Sequence, residues 1–258
     1  MKKILFLFII ATLILSSCKK GDSIGELDLT FTTKTQDGNL VLFEDFNLAD
    51  GTLLNLNKLQ FFISDIRLID GNSETKIADI DLVSFKSHDN AAAAQAGETL
   101  TFGEIPTGSY TGIKFGLGVS SDLNGETPDY YAGVEGRAVL ADAGNHWVNW
   151  ESYIHTKVEG FFDANGNGTA GGGDADESIT YHTGMDMLYR EKTINMDISI
   201  GEDGTFRLPL TLDIDKIFDS ASSLDLPNEP VAHSNPNNAA FMTTTIKIAD
   251  NLVEAISK

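Results

Sequence analysis

The residue types best suited to bind a metal or to undergo oxidation cluster in one short stretch of the chain. Residues 146–160 read HWVNWESYIHTKVEG and hold Trp147 and Trp150, the only two tryptophans, with His146 and His155 beside them. A neutral imidazole nitrogen is a good ligand for copper and zinc. An exposed tryptophan suits a sugar platform, a protein interface or a redox role, whereas a buried one packs in a core. Residues i and i+3 of a regular strand point to opposite faces, so the two tryptophans cannot both face one core from such a strand, and we expect one of them in a loop or partly exposed.

Two further histidines stand where turns would direct their rings towards a common point. His182 ends the strand-like segment SITYH, and His233 lies in PVAHSNP, a turn flanked by prolines. No two histidines of the chain lie at i, i+2 or i, i+4, so spacing alone does not show which of them meet. His182 and His233 are therefore candidate metal ligands whose meeting depends on the fold.

A second candidate metal site is a loop of oxygen-bearing side chains at 163–174, DANGNGTAGGGD. It fits the calcium-loop pattern D-x-[DN]-x-[DN]-G, in which oxygen ligands alternate along the chain and the glycine, here Gly168, permits a sharp turn. The flanks look like strands, so we expect a calcium loop within a hairpin or, alternatively, a flexible glycine-rich loop without a cation. The candidate ligands are Asp163, Asn165, Asn167, Thr169 and Asp174, with Asp176 and Glu177 close by.

The chain opens with a segment typical of an exported bacterial lipoprotein, MKKILFLFIIATLILSSC. Two lysines precede an apolar run of about a dozen residues, which is short for a membrane span of roughly 20. We expect a signal peptide at 1–17, cleavage before Cys18, a lipid on its thiol and a tether at 18–26. Ordinary signal cleavage nearby is the alternative. Because Lys19 rather than aspartate follows the cysteine, we expect an outer-membrane lipoprotein that faces the periplasm or the cell surface.

Composition restricts the partners of such an exported chain. Cys18 is the only cysteine, so the mature chain has no disulfide within it and depends on burial for stability. The net charge is −20, and removal of Lys2 and Lys3 with the signal makes it −22. So acidic a surface repels phosphate backbones, which argues against a nucleic-acid partner.

The remaining chain reads as one all-β domain at 27–258. Short segments such as LDLTFTT, LVLFEDF and IADIDLVSF alternate or run apolar, and turn signals such as QDGN and DGN separate them. This pattern predicts a β-sandwich, immunoglobulin-like or a partly open barrel, with a long loop at 120–145 and either a loop or a short helical piece at 86–98. The ending predicts one C-terminal helix, whose apolar face comprises Ile246, Ala249, Leu252, Val253 and Ile256.

Several segments, in order along the chain, resemble the MbnP-like family of copper-binding proteins associated with methanobactin systems. LTFTTKTQDGNLVL and LNLNKLQFFISDIRLID resemble its first strands, and IPTGSYTGIKFGLGVSSDLN resembles its most distinctive segment. HWVNWESYIHTKVEG resembles its tryptophan motif, W-x-W-x-x-G-Y, which ends in K-x-E-G. YHTG and AHSNPNNAAFMTTTIKIADNL resemble its histidine block and its ending.

The resemblance implies a copper-binding function outside the cytoplasm. In relatives a partner di-haem oxidase converts a tryptophan to kynurenine, which joins histidines in ligating copper. By position, Trp147, as kynurenine, would be the modified residue, and His182 and His233 the imidazole ligands. Many members carry a histidine in the first strand, about where Thr33 stands here, so His146 and His155 are substitute candidates. The chain also departs from the motif at Asn149 and Ser152.

Three classes of function remain open from the sequence. The first is a lipid-anchored protein that binds metal, copper above all, for uptake, storage or delivery. The second is a surface β-sandwich that binds glycan or protein partners through an exposed Trp150 and is stabilised by calcium. The third is an enzyme, which we do not expect because no nucleophile and base are paired at a persuasive spacing. If Trp147 is oxidised, this chain is the substrate of that reaction.

Overall fold

The computed structural model describes residues 23–171 and 176–258. Within these ranges the strands are β1 (Ile24–Lys34), β2 (Asp45–Asn47), β3 (Leu53–Asp70), β4 (Ser73–Ser84), β5 (Glu98–Pro106), β6 (Gly108–Leu117), β7 (His146–Trp147), β8 (Ser152–Phe162), β9 (Glu177–Gly184), β10 (Arg190–Ile200), β11 (Thr205–Asp213), β12 (Val231–His233) and β13 (Ile256–Ser257). The α-helices are α1 (Ala91–Ala96), α2 (Ser121–Asn124), α3 (Pro128–Tyr131), α4 (Ile214–Phe218) and α5 (Ala239–Ala255).

The strands form two sheets that are not closed into a barrel, which confirms the predicted β-sandwich. The smaller sheet has the order β13-β11-β1-β5, and the larger has the order β10-β6-β3-β8-β9-β12. In the larger sheet β2 and β4 also pair with β3, and β7 pairs with β8. Most neighbours are antiparallel, whereas β1 pairs with β11 and β9 pairs with β12 in parallel.

Alternating apolar residues from both sheets pack together to form one large core. In β1 every second residue is buried, including Leu27, Leu29 and Phe31. The ring of Phe31 meets Phe61 of β3 edge-on at 5.7 Å and Phe115 of β6 at 6.4 Å between centroids. Burial of such side chains stabilises the sandwich by about 1.5–3 kcal/mol each before conformational entropy is subtracted.

A second, smaller core lies under the segment 120–145 and supports the tryptophan segment. It contains Phe62, Val119, Leu123, Tyr131, Leu140 and Tyr153. The hydroxyl of Tyr153 donates to the carbonyl of Leu140 at 2.7 Å, and that of Tyr131 donates to Leu123 at 2.8 Å. The predicted long loop is thus folded into short helices and 3-10 turns that hold the chain just before β7.

Two element boundaries differ from the sequence-based expectation, and the structure decides one open alternative. Strand β1 begins at Ile24, inside the range predicted as tether, because Ile24 and Gly25 pair with the end of β5. Of the alternatives for 86–98, the short helical piece is present as α1, whose Asn90 side chain accepts from the amide of Ala93. The C-terminal helix is confirmed as α5, but it ends at Ala255, so Ile256 of the predicted apolar face lies in β13 instead.

Some predictions fall outside the described residues. These are the signal peptide at 1–17, the lipid-bearing Cys18 with the first part of the tether, and Asp174 of the candidate calcium loop. In the two described ranges, no helix has the length and apolar character needed to cross a membrane.

Candidate metal centre

Strand pairing places His182 and His233 side by side. Strand β12 lies parallel to β9 with His233 directly opposite His182, so both side chains project from the same face of the sheet. Their rings are stacked, with centroids 4.8 Å apart and planes inclined by 10°. His233, expected in a turn, is therefore the last residue of a short strand.

Hydrogen bonds just after His233 fix this register. The amide of Ser234 donates to the carbonyl of His182 at 3.1 Å, and the Ser234 hydroxyl accepts from the amide of Gly184 at 2.9 Å. Ser234 is fully buried, so it depends on these partners within the protein. Helix α5 begins five residues later at Ala239, and its Phe241 ring lies 6.5 Å from that of His233.

The indole of Trp147 completes a cluster of three rings. Its centroid lies 4.6 Å from that of His233 and 5.7 Å from that of His182. Trp147 ends β7, which pairs with the first residues of β8 and so reaches across to β9. The structure thus brings together the three residues that the family resemblance singled out.

Trp150 lies in a turn rather than a strand, and there it packs on Trp147. Residues Val148–Trp150 form a 3-10 turn, in which residues three apart fall on the same side, rather than continuing the strand. The two tryptophan rings lie 3.7 Å apart between centroids, and both are half-buried. Glu151 closes the turn in a left-handed conformation with φ 49°.

Glu159 orients the ring of His182. Its Oε1 lies 2.8 Å from Nε2 of His182, and Lys58 approaches the other carboxylate oxygen at 3.5 Å. The hydrogen bond from His182 lowers the pKa of Glu159, which keeps the carboxylate charged. A charged carboxylate accepts only, so Nε2 carries a proton, and in the neutral imidazole the lone pair is then on Nδ1.

Two buried ring nitrogens of the cluster are left without hydrogen-bond partners, Nδ1 of His182 and Nε2 of His233. Burial, followed by the neighbouring His182, lowers the pKa of His233 and favours its neutral form. Buried polar atoms usually find partners, so two unpaired lone pairs on adjacent rings fit a metal ion well. In the described ranges no group of three or more His, Cys, Asp and Glu residues could hold a metal.

The substitute candidates His146 and His155 are not part of the ring cluster. His146 packs edge-on against Tyr153 with centroids 5.0 Å apart, on the side of the small core. His155 is 1% exposed, its two ring nitrogens lack partners, and burial lowers its pKa to about 3. Thr33, where relatives carry a histidine, is buried in β1 and accepts from the amide of Leu40 at 2.8 Å.

The described part of the candidate calcium loop is folded around Asp163. Its Oδ1 accepts from the amides of Gly166 and Asn167, and its Oδ2 from that of Gly168 at 2.8 Å. Asn165 accepts from the amide of Asn167, and Asn167 accepts from both the amide and the hydroxyl of Thr169. The oxygen atoms are thus gathered in one turn, with backbone amides as their partners.

Sequence reasoning did not single out Glu159 as part of the site. It lies on β8, diagonal to His182 on the neighbouring strand, where long side chains of an antiparallel pair meet. The available signal was a glutamate inside the otherwise buried segment SYIHTKVEGFF. Only the pairing of β8 with β9 gives that glutamate its partner.

Comparisons with known proteins agree with this architecture. The family model described as MbnP matches residues 24–238. The solved structure of MbnP from Methylosinus trichosporium is similar in fold, with a TM-score of 0.50 and 12% sequence identity. The similarity covers 83% of this chain and 82% of that one. Among curated proteins, none matches the sequence.

Proposed function

This chain belongs to the MbnP family, and on that premise we propose that it binds copper outside the cytoplasm. The ligands are His182 and His233, and the role is copper uptake, storage or delivery. The observation that carries the proposal is the stacked pair of imidazoles, each with one buried nitrogen that has no hydrogen-bond partner. Coordination of copper would satisfy both nitrogens.

The surroundings of the pair prepare it to bind a cation. Glu159 holds the proton of His182 on Nε2, an arrangement that orients metal-bound histidines and makes them better donors. Burial favours the neutral form of His233, so it needs no deprotonation before binding. Copper suits these ligands because imidazole nitrogen binds both of its common oxidation states.

Trp147 is the residue proposed to undergo modification. A di-haem oxidase partner would cleave its indole ring and leave kynurenine, whose aromatic amine and carbonyl add a third ligand type. The support is its position, since its ring contacts both imidazoles. The adjacent Val148 is 78% exposed, so this edge of the site is accessible from outside.

The proposed location is the outer membrane, with attachment through a lipid on Cys18 and no catalytic role for the chain. The support is the lipoprotein-like start of the sequence. Release of the native protein from membranes by detergent but not by salt would agree with it. A protein that high salt releases would contradict it.

A calcium-stabilised surface module is the alternative function, and the loop around Asp163 is the observation that favours it. Under this alternative, calcium raises the melting temperature, and Asp163→Ala removes the effect while Asp197→Ala, at an exposed position on β10, retains it. Binding of a glycan or protein without copper dependence would complete the case.

Dialysis against copper followed by metal analysis tests the copper proposal. We expect the His182→Ala, His233→Ala double variant to retain less copper than wild type does. His146→Ala is the matched control, because it removes an imidazole that packs on Tyr153 instead. Equal copper in the wild type and the double variant would overturn the proposal. Intact mass of the native protein tests the modification of Trp147, since kynurenine exchanges one carbon for one oxygen.

A further inference from the structure

A separate pocket has Trp150 in its wall but neither of the stacked histidines. It is a cavity of about 310 Å³, and its walls include Trp150, Glu151, Ser152, Met185, Asp186 and Met187. Trp150 contacts Trp147, which contacts both imidazoles, so the two indoles connect the pocket to the ring cluster. The copper proposal for the histidine pair does not use this pocket.

The pocket is rich in the softest ligand atoms of the chain. Of five methionines, Met185 and Met187 both line it, and Met187 is 58% exposed although an apolar side chain gains by burial. Thioether sulfur is a ligand for soft cations and above all for Cu(I). Core packing therefore does not explain why two thioether side chains lie at one accessible pocket.

The backbone holds Met185 in a conformation that side chains rarely adopt. Its φ is 73° and its ψ is 145°, a region that belongs almost only to glycine. Its amide donates to the hydroxyl of Ser152 at 2.9 Å, and Asn124 binds both that hydroxyl and the carboxylate of Asp186. Strain of this kind persists where surrounding contacts enforce it, and it concentrates at ligand sites.

The position of Met187 is also fixed from the backbone. Its carbonyl accepts from Nη1 of Arg190 at 2.9 Å, and the same arginine is anchored by Asp250 of α5. The two methionines therefore leave the chain at set positions on either side of Asp186, while their flexible side chains stay free to adjust. The backbone positions of the two methionines are therefore fixed, whereas their sulfur atoms can move to fit a ligand.

The charge at the pocket favours a cation. Glu151 and Asp186 supply carboxylates, and among the residues that line the pocket none is lysine or arginine. The Oδ1 atom of Asp186 accepts from Asn124 at 2.8 Å, which orients the carboxylate. The strongly acidic chain as a whole adds to this attraction.

We propose that this pocket is a second metal site, which binds Cu(I) through the sulfur atoms of Met185 and Met187 beside the indole of Trp150. Met187 at the pocket is exposed, and neither His182 nor His233 lines the pocket. The site goes beyond the proposed histidine centre and does not depend on it. Its ligand is a soft monovalent cation, so Ag(I) serves as a probe that does not change oxidation state.

Methyl-¹³C methionine NMR of the whole purified protein with added Ag(I) tests the proposal. We expect the methyl signals of Met185 and Met187 to shift and to saturate near one equivalent. Met196 and Met242, which pack against the core, serve as internal controls and keep their positions. The proposal is overturned when Met185 and Met187 stay unshifted, or when all four signals shift alike.

A variant distinguishes this site from the histidine centre. Met185→Leu, Met187→Leu removes both sulfur atoms and nearly conserves side-chain volume. In a His182→Ala, His233→Ala background, we expect these changes to weaken Ag(I) binding about tenfold or more. Unchanged Ag(I) affinity in that background contradicts the methionine site and leaves the copper proposal for the histidines intact. If the methionine changes abolish Ag(I) binding but the His182→Ala, His233→Ala variant retains as much copper as wild type, the result contradicts the histidine centre alone.

Discussion

Glu159 accepts a hydrogen bond from His182, with Oε1 and Nε2 2.8 Å apart, and the other nitrogen of the same ring is buried without a partner. The two facts are linked, because a proton held on Nε2 leaves the lone pair on Nδ1. One carboxylate on β8 thus determines which atom of a histidine on β9 is available to a metal. The same ring stacks on His233, whose Nε2 is likewise buried and unpaired.

The first prediction concerns this carboxylate. Glu159→Leu removes the acceptor, frees the ring of His182 to change its orientation and should weaken copper binding about 10–100-fold. Glu159→Gln keeps an acceptor without the charge and should fall between that variant and wild type. Competition with a copper chelator of known affinity measures both.

The control is Glu191→Gln, which removes a carboxylate that pairs with Lys114 on β6. It should bind copper as tightly as wild type does. Undiminished copper affinity in Glu159→Leu would show that the carboxylate has no part in positioning the ligand.

The second prediction concerns Gly118, which follows β6 and packs against His155. Its φ is 115°, and an added Cβ would lie 2.5 Å from Nδ1 and 2.7 Å from Cγ of that histidine. Gly118→Ala should therefore destabilise the protein by about 1–3 kcal/mol through overpacking and backbone strain. Urea unfolding monitored by circular dichroism measures the change.

Gly125→Ala is the matched control, because Gly125 has an ordinary helical conformation and open space where the methyl group would lie. This variant should unfold within about 0.5 kcal/mol of wild type. Equal stability of the two variants would contradict the tight contact between Gly118 and His155.

The third prediction concerns stability against acid. Burial lowers the folded-state pKa of His155 to about 3, whereas the unfolded value is near 6.5. Below pH 6.5 the unfolded chain binds a proton that the folded protein excludes, so the free energy of unfolding falls as pH falls towards 3. The buried His88 has its pKa lowered for the same reason and acts in the same direction.

Urea unfolding at pH 7, 6 and 5 measures this dependence. His155→Leu removes the side chain from which the folded protein excludes a proton, so the free energy of unfolding of the variant should depend less on pH. Below pH 6.5 the slopes of wild type and variant should differ by about 1 kcal/mol per pH unit. An identical slope in wild type and variant would mean that His155 is protonated within the folded protein.

Much of the fold could be predicted from the sequence because the patterns that indicate its strands and final helix are local. Alternation in a segment such as 27–33 predicts a strand, and the apolar face near Ala249 and Leu252 predicts the final helix. The start of β1 at Ile24 was missed because its pairing with Pro106 lies far along the chain. The second core under 120–145 was likewise hidden, since it assembles from distant aromatic side chains.

The site could be predicted only in part, because its residues are distant in the sequence and meet through strand pairing. The direct pairing of His233 with His182 joins residues 51 positions apart in parallel strands, and no spacing rule predicts such a register. Turn positions and the family resemblance both indicated these two residues, whereas Glu159 and the methionine pocket became visible only in the folded chain. The expectation that one tryptophan leaves the strand agrees with the 3-10 turn at Val148–Trp150, but the contact between the two rings was not predicted.

The most direct measurement of the central claim is the ¹⁵N chemical shift of the histidine rings in the Cu(I)-loaded protein. The structure predicts that Nδ1 of His182 and Nε2 of His233 shift on loading, while Nε2 of His182 keeps its proton and its bond to Glu159. His146 and His155 should keep the shifts they have without metal. Copper-induced shifts at Nε2 of His182, or at His146 and His155 in place of the stacked pair, would contradict the assignment of the site.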